Sequence, residues 1–138
     1  MSKRGGNLKE GIEKLEEVKE EFKGDPHFMG FLAFSYYDNG EEMKALETLL
    51  DSVDESGKSP EPWLYLSLYH FDRGEYDKAI KAAEEAIKRK PDMAEAKYLI
   101  MLCKKKLGQD YSEEESWLRE KGVLDTLSEY FGEDMRGN

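Results

Sequence analysis

Residues that carry covalent chemistry are scarce in this chain. Its 138 residues include one cysteine, Cys103, and two histidines, His27 and His70, more than a repeat length apart. A lone cysteine cannot close an internal disulfide, so nothing points to an oxidising compartment. Cys103 lies in an apolar run with no histidine at useful spacing, which predicts an inert, buried thiol. Metal sites need clustered His and Cys, and phosphate sites a glycine-rich loop; the sequence has neither. No cofactor and no enzymatic activity are expected. The longest apolar run, around residues 28–34, falls far short of the roughly 20 residues that span a bilayer. The start, MSKRGGNLKEG, is positively charged but is followed by no apolar core, so no signal peptide is expected. The composition predicts a soluble, cytoplasmic protein.

Positive charge is also in deficit. Lys and Arg number 21 against 31 Asp and Glu, a formal net charge of −10. Binding a phosphate backbone takes many cationic contacts, so nucleic acid is excluded as a partner, and anionic membrane surfaces are disfavoured. The paired glutamates Glu16-Glu17, Glu20-Glu21 and Glu84-Glu85, with Glu113–Glu115, read as solvated helix faces rather than as acid–base pairs. Lys104, Lys105 and Lys106, with Lys97 nearby, form a local basic patch at the end of a helix, where cations complement the helix dipole.

What the chain does have is a period. Gly40, Gly74 and Gly108 stand 34 residues apart, as do Leu32, Leu66 and Ile100, and as do Pro26 and Pro60. Ala45 and Ala79 match within GEEMKAL and GEYDKAI. Each glycine follows an amphipathic run, where a residue at positive φ lets the chain reverse at low cost. The small alanines let the two runs of a pair approach closely. Asp25-Pro26 and Ser59-Pro60 read as an N-cap followed by proline at the first helical position. Asp92 with Glu95, and Ser112 with Glu115, have the spacing of capping boxes.

Within Pro60–Pro91, the residues Trp63, Leu66, Ser67, Tyr76, Ala79, Ala86 and Pro91 stand at the offsets of a tetratricopeptide repeat (TPR), which this stretch strongly resembles. His70 stands where tyrosine is usual, and Ala83 replaces an aromatic. The resemblance implies an all-α, right-handed solenoid of helical hairpins, in one domain over residues 1–138. About three repeats are expected: 26–54, 60–91 and a degenerate 92–121. A half-repeat helix at 7–23 precedes them, with Gly6 in the turn-glycine place and Ile12, Leu15 and Val18 as its apolar stripe. A capping helix at 123–131 follows, with Gly122 breaking or kinking the run before it, and 132–138 is expected to fray.

In such a solenoid the first helices of successive pairs line the concave surface. That register puts Phe31, Phe34 and Tyr37, then Leu64, Tyr65, Leu68 and Phe71, then Tyr98, Leu102, Lys105 and Lys106 in the groove. Trp63, Leu66 and His70 already fill the opposite face of their helix, which is therefore apolar all round, and such a helix is buried on both sides. Packing against neighbouring first helices, fold-back of 123–131, and an outside peptide are three ways to cover that surface. The TPR sites that grip a C-terminal carboxylate use Lys, Asn and Arg where this chain has Gly30, Phe34, Tyr65, Glu95 and Leu99, so that ligand is excluded. The expected function is a protein–protein interaction module that takes a helical or extended peptide segment in an apolar groove. Two alternatives stand beside it: a small acidic chaperone for a secreted protein, and a scaffold that self-assembles, as a homodimer, through its half-repeat or its C-terminal helix.

Overall fold

A computed structural model of the chain describes the backbone of residues 2–131 and the side chains from Asn7 to Phe131; the expected frayed tail at 132–138 lies outside the described residues. The described residues form helices α1 (Ser2–Glu17), α2 (Lys19–Phe22), α3 (Pro26–Asp38), α4 (Glu42–Glu55), α5 (Glu61–Asp72), α6 (Tyr76–Arg89), α7 (Ala94–Lys106), α8 (Ser112–Glu120) and α9 (Leu124–Phe131), with no strand among them. Helices α3–α4 and α5–α6 pack as hairpins, and the first helices α3, α5 and α7 pack in succession. The fold is an all-α helical solenoid.

The hairpin turns share one backbone device. Gly40, Gly74 and Gly108 adopt φ of 83°, 79° and 73°. At each, the next residue donates its N–H to a carbonyl in the preceding helix: Glu41 to Tyr36, Glu75 to His70 and Gln109 to Lys104, at 2.8, 2.9 and 2.8 Å. This satisfies carbonyls that the helix end would otherwise orphan. Gly122 repeats the device, with φ 73° and Val123 N–H bonded to Leu118 O at 3.2 Å. Gly122 therefore breaks the run, and α9 starts as a new helix.

Close approach within a hairpin depends on small residues. Ala33, Ala45 and Ala79 are fully buried. Ser67 Oγ, also buried, donates to the Ala79 carbonyl at 2.7 Å, tying α5 to α6. Around these contacts lie three apolar clusters: Trp63 packs against both the one around Leu32 and Leu49 and the one around Ala83 and Ile100, and Leu64 joins the latter to the cluster that holds Leu118 and Leu127.

Several local expectations need correction. The N-terminal helix does not run unbroken over 7–23: α1 passes straight through Gly6, stops at Glu17, and restarts as α2 after Val18, whose φ of −109° and ψ of 9° lie outside the helix. Asp25 caps α3 as expected, accepting from His27 N–H at 3.0 Å and Phe28 N–H at 3.4 Å. Pro60, in contrast, is itself the cap residue of α5, and the proline inside the first turn is Pro62. Neither capping box forms. The α7 cap is Met93 and the α8 cap is Tyr111, both without a side-chain bond. Ser112 bonds instead to Asp110, through N–H at 3.0 Å and Oγ at 2.8 Å.

Candidate functional site

The three first helices present equivalent residues, but their neighbours give them different fates. Consider Phe31, Tyr65 and Leu99, which stand 34 residues apart. Leu99 is fully buried. Tyr65 is half-buried, and its ring lies over α3, where a Cβ built on Gly30 would meet the ring Cγ at 2.9 Å. Its hydroxyl sits 2.8 Å from His27 Nδ1. Phe31 has no preceding first helix to pack on and is 65% exposed. It lines a surface depression with Leu8, Ile12 and Leu15 of α1, away from the groove in which it was expected.

At the other end, α9 covers the third repeat. Tyr98 is fully buried, its ring stacked on Phe131 with centroids 5.2 Å apart, and its hydroxyl lies 3.2 Å from Ser128 Oγ. Leu102 is buried in the same cluster as Leu127. Phe71 is buried too and packs edge-on to Tyr76. These three side chains offer no surface to a ligand in this arrangement, because α9 and the α5–α6 hairpin already occupy theirs. Sequence register alone places them correctly on the first helices but cannot register the cover.

What stays open is a cleft of about 510 Å³ between the second repeat and α9. Its apolar lining comes from Leu64, Tyr65 and Leu68 of α5 and from Leu127, Tyr130 and Phe131 of α9; His27, Glu61, Lys90 and Glu95 supply its polar groups. Tyr130 is 78% exposed. Burial, then the neighbouring Tyr130, Glu61 and Asp25, raise the Tyr65 phenol above its ordinary pKa, so the hydroxyl stays neutral at physiological pH. Phe34 and Tyr37 continue the aromatic surface on the α3 side. Phe34 lies 6.5 Å from the Tyr65 ring and 6.4 Å from the Tyr37 ring. The Tyr37 phenol is pushed up to about 12, by burial first and then by its hydrogen bond to Asp72.

Lys104, Lys105 and Lys106 occupy the last turn of α7, as the dipole reading expects. Lys104 is bound to Glu114 of α8 at 2.7 Å, which raises its pKa. Lys97 lies over the Trp117 ring, 4.9 Å from its centroid. Lys105 and Lys106 are half-buried and do not line the cleft. Burial pushes the Cys103 thiol up to about 12. His70 is half-buried, with Nδ1 2.7 Å from Glu75 Oε1. No group of three or more potential metal ligands converges among the described residues, and none of the described helices is long and apolar enough to cross a membrane.

Four α9 residues in the cleft, Thr126, Leu127, Tyr130 and Phe131, were not among the expected contacts. The amphipathic pattern of 123–131 marks them as a helix, but only the turn at Gly122 aims that helix back across α7.

Comparison with known proteins agrees with this architecture. No curated protein sequence matches the chain. Residues 60–93 match the tetratricopeptide repeat family. Three solved structures of MamA are similar in fold. One is 23% identical at a TM-score of 0.64, covering 88% of this chain and 70% of its own. A second is 23% identical at 0.63, covering 88% and 65%. The third, of MamA MSR-1 C2, is 16% identical at 0.64, covering 86% and 71%. Residues 60–93 thus match a tetratricopeptide repeat, and the described residues as a whole share the helical-hairpin solenoid fold of these structures.

Proposed function

We propose that this protein is a protein–protein interaction module whose concave cleft takes a short helical or extended peptide segment with aliphatic or aromatic anchors. The observation that carries this reading is the unfilled apolar lining between α5 and α9, with Leu64, Tyr65, Leu68 and Tyr130 converging on one space. Such a surface gains roughly 25 cal/mol for each Å² of apolar area that a ligand covers. Its polar edge, His27 with Glu61, Lys90 and Glu95, supplies direction. A helical ligand suits the walls better than a strand, because the helices around the cleft have no free backbone groups to pair with it.

The test is a selection of displayed peptides on the intact chain, followed by titration of the winners against variants. Leu68→Glu should weaken binding about tenfold or more, the scale of one lost buried anchor, while Lys81→Glu on the opposite face should leave it unchanged. Peptides that bind both variants equally would remove the cleft as the site.

One observation favours a second reading, self-assembly through the N-terminal edge: Phe31 is exposed beside Leu8 and Leu15, where an array would place another first helix. Sedimentation of the wild type and Phe31→Lys separates the two. A dimer that Phe31→Lys dissociates supports assembly, and a monomer at all concentrations refutes it.

A further inference from the structure

Along α5, Glu61, Leu64, Tyr65 and Leu68 recur at three- and four-residue spacing, so they share one helix face, with the carboxylate one turn before the apolar anchors. All four line the concave cleft. Residues 34 apart hold equivalent places in the array, and the equivalents of Glu61 are His27 in α3 and Glu95 in α7. Both of these line the cleft as well. A polar row thus crosses the concave face at the first turns of α3, α5 and α7, beside an apolar floor. From Glu61 to Leu68 that face runs about 10 Å, at 1.5 Å per residue.

The row is acidic, and its charges are unspent. His27 is engaged with the Tyr65 hydroxyl at 2.8 Å. Glu61, half-buried, and Glu95, exposed, accept no side-chain hydrogen bond and form no ion pair among the described residues. Among the described residues the lining holds one ammonium, Lys90, against these two carboxylates, and it pairs with neither. A third carboxylate, Asp25, acts on the same space. Burial first, and then Tyr130, Glu61 and Asp25, raise the Tyr65 phenol, and the groups of that set ionised at neutral pH are both negative. First-turn carboxylates complement the dipoles of their own helices, which leaves their oxygens open to a donor.

We propose that the cleft selects a basic amphipathic helix of a partner protein, its apolar anchors on Leu64, Tyr65 and Leu68 and a lysine or arginine one turn away on Glu61 and Glu95. This rests on the concave cleft being the binding site, and it adds the sign of the ligand. Helices α5 and α7 pack together, and packed helices lie about 8–10 Å apart. A single ammonium or guanidinium laid between them is within reach of both flexible glutamate side chains. Each such contact is charge-assisted, the stronger class of hydrogen bond. A ligand carboxylate in the same place would face two like charges, with only Lys90, outside the row, to answer it. The chain's net charge of −10 favours the same sign at long range. The one-turn offset between Glu61 and Leu64 also sets the spacing on the ligand, whose basic residue lies three or four positions from an apolar anchor.

The test is a displayed library of helical peptides with a fixed apolar stripe and randomised polar positions, selected on the full-length chain. Weakening by Leu68→Gln, which leaves the charge alone, marks the cleft binders. These should be enriched in Lys and Arg three or four positions from an anchor. Glu61→Gln/Glu95→Gln should weaken them about tenfold, the scale of two solvent-facing ion pairs, and raised salt should weaken them too. Glu47→Gln/Glu84→Gln removes the same charge from exposed positions of α4 and α6 that do not line the cleft. It should change binding by no more than about twofold, since distant charges are screened. Circular dichroism of each variant guards against misfolding. Cleft binders with no excess of basic residues, or weakened equally by both double variants, would overturn the inference and leave the peptide reading standing. Binders indifferent to Leu68→Gln, or no binders at all, would remove both.

Discussion

Gly30→Ala tests the contact that builds the cleft. Glycine inside a helix costs about 1 kcal/mol relative to alanine, so at an open site in α3 the substitution would stabilise by that amount. Here the new Cβ would meet Tyr65 Cγ and Cδ2 at 2.9 Å and Cδ1 at 3.0 Å. Those atoms are the root of the ring, fixed by the α5 backbone, and the far end is held by His27 at the hydroxyl. Overpacking of this kind costs about 1–3 kcal/mol, so the two effects oppose and Gly30→Ala should come out neutral to about 2 kcal/mol destabilised. A double-mutant cycle separates them. In a Tyr65→Ala background the steric cost vanishes and Gly30→Ala should stabilise by about 1 kcal/mol, giving a coupling of about 1–3 kcal/mol. Urea unfolding of the four proteins, followed by far-UV circular dichroism, reads this directly. If Gly30→Ala stabilises equally in both backgrounds, the ring does not rest on Gly30, and the account of the cleft floor fails.

Two other glycines should respond with opposite signs. Gly11→Ala, with no atom within 4 Å of the added Cβ in α1, should stabilise by about 1 kcal/mol; Gly74→Ala, equally uncrowded but at φ +79°, should destabilise by about 1–2 kcal/mol, both read by urea midpoints. Cys103, buried with its pKa near 12, should resist a thiol reagent at pH 8, reacting only as the native state opens, whereas a free thiol of pKa about 8.5 reacts at once; prompt native labelling would contradict its burial. Glu75 is held below the usual carboxylate range, first by its hydrogen bond to His70 and then by Arg73. A carboxylate with a depressed folded pKa contributes stability above its unfolded value of about 4.3, lost as pH falls through the folded value. Glu75→Gln should therefore flatten the acid limb of a stability–pH curve below about pH 4.5, and an unchanged limb would count against the pair.

The period made the fold legible. Glycines 34 residues apart at Gly40, Gly74 and Gly108 predict the reversals, and all three adopt the positive φ that the prediction requires. Ala45 and Ala79, chosen as close-approach residues, are fully buried. Capping was less legible, because candidate caps compete over one or two residues. Asp92 and Glu95 have the spacing of a box, yet α7 begins only after Met93. Ser112 is drawn to Asp110 instead of capping α8. The lining of the candidate cleft was legible in part. Leu64, Tyr65 and Leu68 line the cleft as the register implies. Tyr98 and Leu102 share that register but are buried, because their cover comes from α9, outside the repeat.

The same rule explains why open apolar surface on the first helices gathers at the second repeat rather than running the length of the solenoid. Tyr65 leans on Gly30 of the first helix before it, and Leu64 packs toward the first helix after it. At the N-terminal edge the leaning residue is Phe31, which has nothing to lean on and stands in solvent. At the C-terminal edge the forward-facing residue is Tyr98, which α9 takes over by stacking Phe131 on its ring. Leu64 sits between these ends. The helix after it is present, but α7 meets it with Leu99 already buried, and α9 crosses further along, so a gap remains between them. The gap is the cleft. Its length is set by where Gly122 releases α9, so moving that turn would lengthen or close the cleft without altering any residue of α5.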